Sequence, residues 1–89
     1  MNLKIKPKYF NRVLTGDKRA EVRSNLDRDF TGVTSITLDE FDAVGYTGRK
    51  IDCHVTDICD LAEVGVSGFT LLSIRPTYYH DGKKTFSLQ

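Results

Sequence analysis

Gly16-Asp17-Lys18-Arg19-Ala20-Glu21-Val22-Arg23 is where this chain turns from helix to sheet. Gly16 suits the left-handed residue that ends a helix, because it has no Cβ to clash there. Residues 18–23 then read as a strand. Successive strand side chains point to opposite faces. Ala20 and Val22 are therefore expected to face a core, while Arg19, Glu21 and Arg23 share the other side. A row of cation, anion, cation gains little from apolar packing. It suits contact with something anionic and hydrogen-bonding, and nucleic acid is the obvious class.

Upstream, Leu3 and Ile5 alternate with Asn2, Lys4 and Lys6, which predicts a strand over residues 2–6. Pro7 fits the first position of a helix, where its missing N–H has no partner in any case. Tyr9, Phe10, Val13 and Leu14 fall on one helical face and read as core. Lys8, Asn11, Arg12 and Thr15 fall on the other, in a helix of about ten residues. Downstream, residues 24–32 carry Ser, Asn, Asp and Gly and read as a loop. Strands are predicted over 33–41, 49–59 and 68–75, with a connection at 42–48 and a linker or helical turn at 61–67. The apolar set of the 49–59 strand changes parity between Val55 and Ile58, which predicts a bulge. Phe69, Leu71, Leu72 and Ile74 predict a central strand buried on both faces. After Pro76, Tyr78-Tyr79-His80, Asp81-Gly82 and Thr85-Phe86-Ser87-Leu88 predict a terminal hairpin around an Asp-Gly turn.

The chain has 89 residues, so a single domain over 1–89 is expected. Its apolar and charged fractions, 39% and 28%, fit an ordinary globule rather than a disordered segment. A chain this short builds a thin core, which favours a shallow groove over a deep enclosed pocket. The formal net charge of +1 argues against a bulk polyanion binder but allows a local basic patch. Charge is in fact segregated. The first third is basic, while Asp39, Glu40 and Asp42 form one acidic group and Asp52, Asp57, Asp60 and Glu63 another.

No apolar run approaches the roughly 20 residues of a membrane helix. The alternating start lacks the apolar stretch of a signal peptide. A cytoplasmic protein without membrane attachment is expected. Cys53 and Cys59 lie in one predicted strand, about 20 Å apart at strand rise, beyond disulfide reach. They read as free buried thiols of a reducing compartment. Cys53, His54, Cys59 and His80 do not read as a zinc set, because neighbouring strand residues 53 and 54 face opposite ways. No metal or cofactor is expected.

Strand, helix, then strands only: the order predicts a mainly β fold (α+β) with one or two short helices. A small closed or half-closed barrel of five to six strands, with the helix after strand 1 plugging one end, fits best. Closure also removes exposed strand edges.

Several separated blocks add to this reading: Leu3-Lys4-Ile5-Lys6-Pro7 with Tyr9-Phe10, Val13-Leu14-Thr15-Gly16-Asp17-Lys18-Arg19, Glu21-Val22-Arg23, Asn25 with Asp27-Arg28-Asp29-Phe30, Phe41-Asp42, and Gly45-Tyr46-Thr47-Gly48-Arg49. In this order they resemble the ASCH branch of the PUA-like barrels, in particular a short ASCH-like family frequent in phage and prophage genomes. The resemblance runs from Leu3 to about Ile74 and leaves out Thr77 to Gln89. It implies a PUA-like β-barrel and RNA binding, the latter inferred from fold in most members. A related branch comprises small amidohydrolases that deacylate acetylated cytidine. They use a lysine and a threonine of the turn-and-strand motif, plus a glutamate further on. Lys18 matches the lysine. Glu21 stands in place of the threonine and removes the hydroxyl. Gly32-Val33-Thr34 also departs from the family's usual Val-Gly-Asp.

The expected nucleic-acid-binding set is Lys18, Arg19, Glu21, Arg23, Asn25, Arg28, Tyr46 and Arg49. Arginine forks hold phosphates bidentately. Asn25 offers a base-edge contact and Tyr46 a stacking surface. Against this stands a plain solvated face, with Glu21 and Asp29 pairing the arginines at about 0–1 kcal/mol per exposed pair. Tyr78, Tyr79 and His80 beside Lys83 and Lys84 form a second aromatic and basic cluster, read first as an edge hairpin kept soluble by its lysines. The leading expectation is a non-enzymatic RNA-binding module, phage- or prophage-encoded, monomeric or weakly dimeric. One alternative is an amidohydrolase for an acylated nucleoside, using Lys18 and Glu21. Another is a protein-binding inhibitor of a host enzyme.

Overall fold

The computed structural model describes residues 1–88. The chain runs β1 (Asn2–Ile5), α1 (Pro7–Leu14), β2 (Ala20–Ser24), β3 (Ser35–Phe41), β4 (Tyr46–Asp60), a 3₁₀ turn (Leu61–Val64), β5 (Phe69–His80) and β6 (Thr85–Ser87). Five strands lie in the order β1-β3-β4-β5-β2, and β6 pairs with the far end of β5. Only β1 and β3 are parallel; every other pair is antiparallel. The sheet curls into a half-barrel whose two edge strands, β1 and β2, face each other across a seam.

Helix α1 starts on Pro7 and stops at Thr15, with Gly16 at φ 86° beyond it. It spans eight residues, slightly shorter than its apolar pattern suggests. Phe10 and Val13 are fully buried and join Leu3, Ile5, Ile36, Leu38, Ile51, Cys53, Leu72 and Ile74 in one core. Tyr9, read as core, is instead 39% exposed, because the buried stripe of so short a helix is confined to Phe10 and Val13.

Of the expected charged row, Glu21 and Arg23 share one face of β2, but it is the inner one, and Arg19 falls outside the strand. Glu21 is 5% exposed and Val22 is 53% exposed. The register explains the inversion. Glu21 lies opposite Leu72, and directly opposite residues of an antiparallel pair share a face. Leu72 is fully buried, so Glu21 goes inward with it and Val22 goes outward. Lys18 and Arg19 precede the strand and belong to the turn.

β3 begins at Ser35 rather than 33, because residues 31–32 form a turn. β4 begins at Tyr46 rather than 49. The preceding turn is compact: the Asp42 carboxylate accepts from Val44 N–H and Gly45 N–H at 2.8 and 3.1 Å. The bulge expected near Val55 is present between Val55 and Asp57, and a second lies between Asp52 and Cys53. β5 runs straight through Pro76. Pro76 sits at that second register shift, a position where a sheet tolerates the missing donor. β5 is also not buried on both faces: Thr70, Leu72 and Ile74 are buried, while Phe69 is 43% exposed. The terminal hairpin forms as expected, with the Asp81 carboxylate accepting from Lys83 N–H and Lys84 N–H at 2.8 and 2.7 Å. Both cysteines are free. Cys53 is buried, whereas Cys59, at the far end of β4, is only half-buried. No helix of the described residues is long and apolar enough to cross a membrane.

Candidate functional site

Glu21 is the hub of the seam. Its carboxylate takes Lys18 Nζ at 3.1 Å on one oxygen and Arg23 Nε and Nη2, both at 2.8 Å, on the other. A buried carboxylate needs such partners, since an isolated charge away from water is costly. Lys18 Nζ also donates to the Ala20 carbonyl. Arg23 reaches across the seam, where Nη2 donates to the Lys4 carbonyl at 2.6 Å. Arg28, from the loop after β2, repeats the move: its Nη1 donates to the Asn2 carbonyl at 3.1 Å. Two guanidinium groups thus take the place of the missing ladder between β1 and β2.

A groove of about 380 Å3 lies along this seam, lined by Lys4, Arg23, Asp27, Arg28, Asp39 and Tyr46 among others. Tyr46 is 62% exposed and packs edge-on against Phe41, centroids 4.9 Å apart. Lys4 Nζ stands 4.5 Å from the Phe41 ring centre and 5.6 Å from that of Tyr46. An adjoining groove of about 540 Å3 carries Asn25, Arg28, Asp29 and Thr70. Asn25 is pinned there, its Nδ2 donating to Thr70 Oγ1 at 2.9 Å and its N–H to the Gly68 carbonyl at 3.0 Å. Hydrogen bonds from Thr31, first its backbone N–H, hold the Asp29 carboxyl below the ordinary carboxylate range.

The fold therefore brings Arg23, Arg28 and Tyr46 together, with Asn25 next door through Arg28. Arg19 lies apart, in a separate groove with Arg75, and its Nε donates to the Gly16 carbonyl at 3.1 Å. Arg49 is occupied by the protein itself. It grips Glu40 through Nε at 2.8 Å and Nη2 at 2.7 Å. It also donates to Asn11 Oδ1 at 2.9 Å and lies 4.5 Å from the centre of the Phe10 ring. The hydrogen bond from Arg49 outweighs burial and pulls the Glu40 pKa down, and Glu40 in turn raises that of Arg49. This pair anchors α1 to the end of the half-barrel. Lys18 is held on Glu21 in a contact typical of a structural ion pair.

Sequence reasoning missed Lys4 as a groove residue. The signal was present, since alternation in β1 already set Lys4 opposite Leu3 and Ile5. It also missed that Glu40 and Arg49 face each other. A hairpin closed by Phe41 and Tyr46 would set Glu40 against Thr47, and only the register shift between Asp39 and Phe41, which places Asp39 opposite Lys50, brings Glu40 level with Arg49.

A protein of Escherichia phage P2, described as an "Uncharacterized 12.9 kDa protein in GpA 3'region", is 39% identical over 61 residues, 68% of this chain and 55% of that relative. The chain thus spans about half the length of that relative. A domain family, DUF3850, matches residues 1–74. That span takes in β1, α1, the charged turn, β2 and the whole seam, and stops short of the hairpin tip and β6. On this match the chain belongs to the DUF3850 family, a domain of unknown function.

Proposed function

We propose that this protein binds single-stranded RNA in the seam groove, as a PUA/ASCH-type module acting without catalysis. The observation that carries the reading is the convergence of Lys4, Arg23 and Arg28 on one groove with an exposed aromatic ring, Tyr46, in its wall. Among the described residues Arg28 has no carboxylate partner and a single hydrogen bond, so most of its five donors serve a ligand. In this reading Arg28 and Lys4 meet phosphates, and Arg23 contributes field while it holds the seam. An unstacked base lies on Tyr46, and Asn25 offers an edge contact next door. Lys18 and Glu21 set the shape and potential of the approach, while Arg19 stands outside it. Arg49 is the weakest member of the expected set, since its fork is filled by Glu40. The resemblance to ASCH barrels supports the same reading, and the phage P2 relative supports a phage-type origin. They suggest a phage- or prophage-encoded protein working on RNA in the host cytoplasm.

The test is fluorescence anisotropy with labelled oligoribonucleotides at low salt. Two phosphate contacts, at Arg28 and Lys4, give a slope of log K against log salt of about −1.4, at roughly −0.7 per contact on a single strand. Arg28→Ala weakens binding about tenfold and flattens the slope by one contact. Tyr46→Ala weakens binding by a loss of stacking of about 1–3 kcal/mol, with the slope unchanged. No complex at tens of micromolar protein overturns the reading. Acetate release from acetylcytidine, abolished in Lys18→Ala, replaces it with the amidohydrolase. Capture of a host protein that survives nuclease treatment replaces it with the inhibitor.

A further inference from the structure

The β5–β6 hairpin, whose tip and β6 lie beyond the region matched by the family, closes over a second cationic pocket. Gly82 at the hairpin tip abuts Gly48 at the start of β4. A Cβ on Gly82 would meet the Gly48 carbonyl oxygen at 3.7 Å, and both glycines have left-handed φ, 100° and 93°. This close approach forms a pocket of about 400 Å3, lined by Lys50, His80, Lys83, Lys84 and Thr85 besides the two glycines, with no carboxylate in its lining. The nearby acids are turned to other tasks. Asp81 accepts from the backbone N–H groups of Lys84 and Lys83, which lower its pKa. Asp52 accepts from Thr37 Oγ1 and faces His80 Nε2, both at 2.8 Å. The other nitrogen of the same ring, Nδ1, is 2.8 Å from Thr85 Oγ1, so the imidazole is fixed on both sides. Lys83 and Lys84 have no ion pair among the described residues.

The sheet joins this pocket to the seam groove. Lys4 pairs with Asp39, Asp39 with Lys50, Lys50 with His80, and His80 with Thr85. These five residues form one row across five strands, on the face turned away from the core. At about 4.8 Å per strand the row is about 19 Å long. Asp39 is the second of the five, between Lys4 and Lys50, but its charge is met by Lys50 Nζ at 3.6 Å and by Asn2 Nδ2 at 3.0 Å.

We propose that the hairpin pocket is a second phosphate site for the same RNA strand, which leaves the seam groove at Lys4 and crosses the sheet along this row. The inference rests on the RNA-binding reading and extends it. Lys83 and Lys84, with the Thr85 hydroxyl, hold a phosphodiester several nucleotides from the one at Arg28. The footprint is then perpendicular to the strands and longer than the seam groove alone.

The experiment compares oligouridylates of about four and about ten nucleotides, within the range single-strand folds cover. In the wild type the longer probe binds at least tenfold tighter and its salt slope is steeper by about 1.4, two further contacts at −0.7 each. Lys83→Ala with Lys84→Ala removes that gain and leaves the short probe unchanged. The double Arg variant of the same positions restores it. Both lysine side chains are exposed, and their turn is held by backbone N–H groups that the substitutions keep. A long-probe advantage untouched by the double Ala variant overturns the second site while the seam reading stands. Failure of both probes to bind overturns both.

Discussion

Arg49 shows how a strand cation becomes structural. Its fork closes on Glu40, a carboxylate 4% exposed, and its plane covers Phe10. Removing one partner of a buried pair leaves the other charge uncompensated, at about 3–5 kcal/mol for a fully buried case. With the Arg49 side chain 29% exposed, Arg49→Ala is expected to lower stability by about 2–3 kcal/mol, read as a shift in the urea midpoint. The sign with pH follows from the Glu40 pKa, depressed below 4.5 chiefly by the hydrogen bond from Arg49. Its contribution is full above the ordinary value and is lost as pH falls through the depressed one. Urea midpoints between pH 6 and pH 3 will therefore drop more steeply in the wild type than in Arg49→Ala. The thiols give a second contrast. Burial, then the charges of Asp52 and Glu21, pushes the Cys53 thiol up to about 12. A thiol-reactive dye will therefore label half-buried Cys59 in the native protein and Cys53 only after unfolding.

Strand pairing decided what local patterns left open. The alternation in β1, the Pro7 start and Gly16 stop of α1, the parity change in β4 and the Asp81-Gly82 hairpin are all local signals, and each formed where it was read. The face of β2 was not local. Charges on Glu21 and Arg23 suggested solvent, yet the opposing Leu72 draws that face inward. Pro76 is another such case, since a proline suggests a break unless the partner strand supplies a register shift beside it. In the groove, Arg23, Arg28 and Tyr46 carry the residue types by which the sequence singled them out, and the fold brings them together. The carbonyls of Lys4 and Asn2 that Arg23 and Arg28 hold come from β1, far away in sequence, and could not be read. A direct check on the β2 face follows. Val22→Thr is expected to change stability by under about 0.5 kcal/mol. Leu72→Ala, on the inner face of the paired strand, is expected to cost about 2–5 kcal/mol in chemical denaturation.

Across the molecule, the half-barrel keeps its core on the concave side and its cations at the seam and the hairpin tip. Net charge near zero hides this, because it counts buried Glu21, Glu40 and Asp39 together with acids that lie elsewhere on the surface. Edge strands normally invite pairing with another chain. Here Arg23 and Arg28 cap two carbonyls of the β1 edge. Arg23→Ala with Arg28→Ala is expected to speed amide hydrogen exchange in β1 well beyond its effect on β4, which keeps a partner on either side.

One margin of β5 is divided lengthwise: residues 69–73 bond β2, and residues 78–80 bond β6, with Pro76 between them. Two short clasps fastened end to end along one rail open independently, because neither shares a bond with the other. Stretching or trimming the outer clasp leaves the inner one shut. The rim of the hairpin is thus free to vary in length while the half-barrel beneath it keeps its shape.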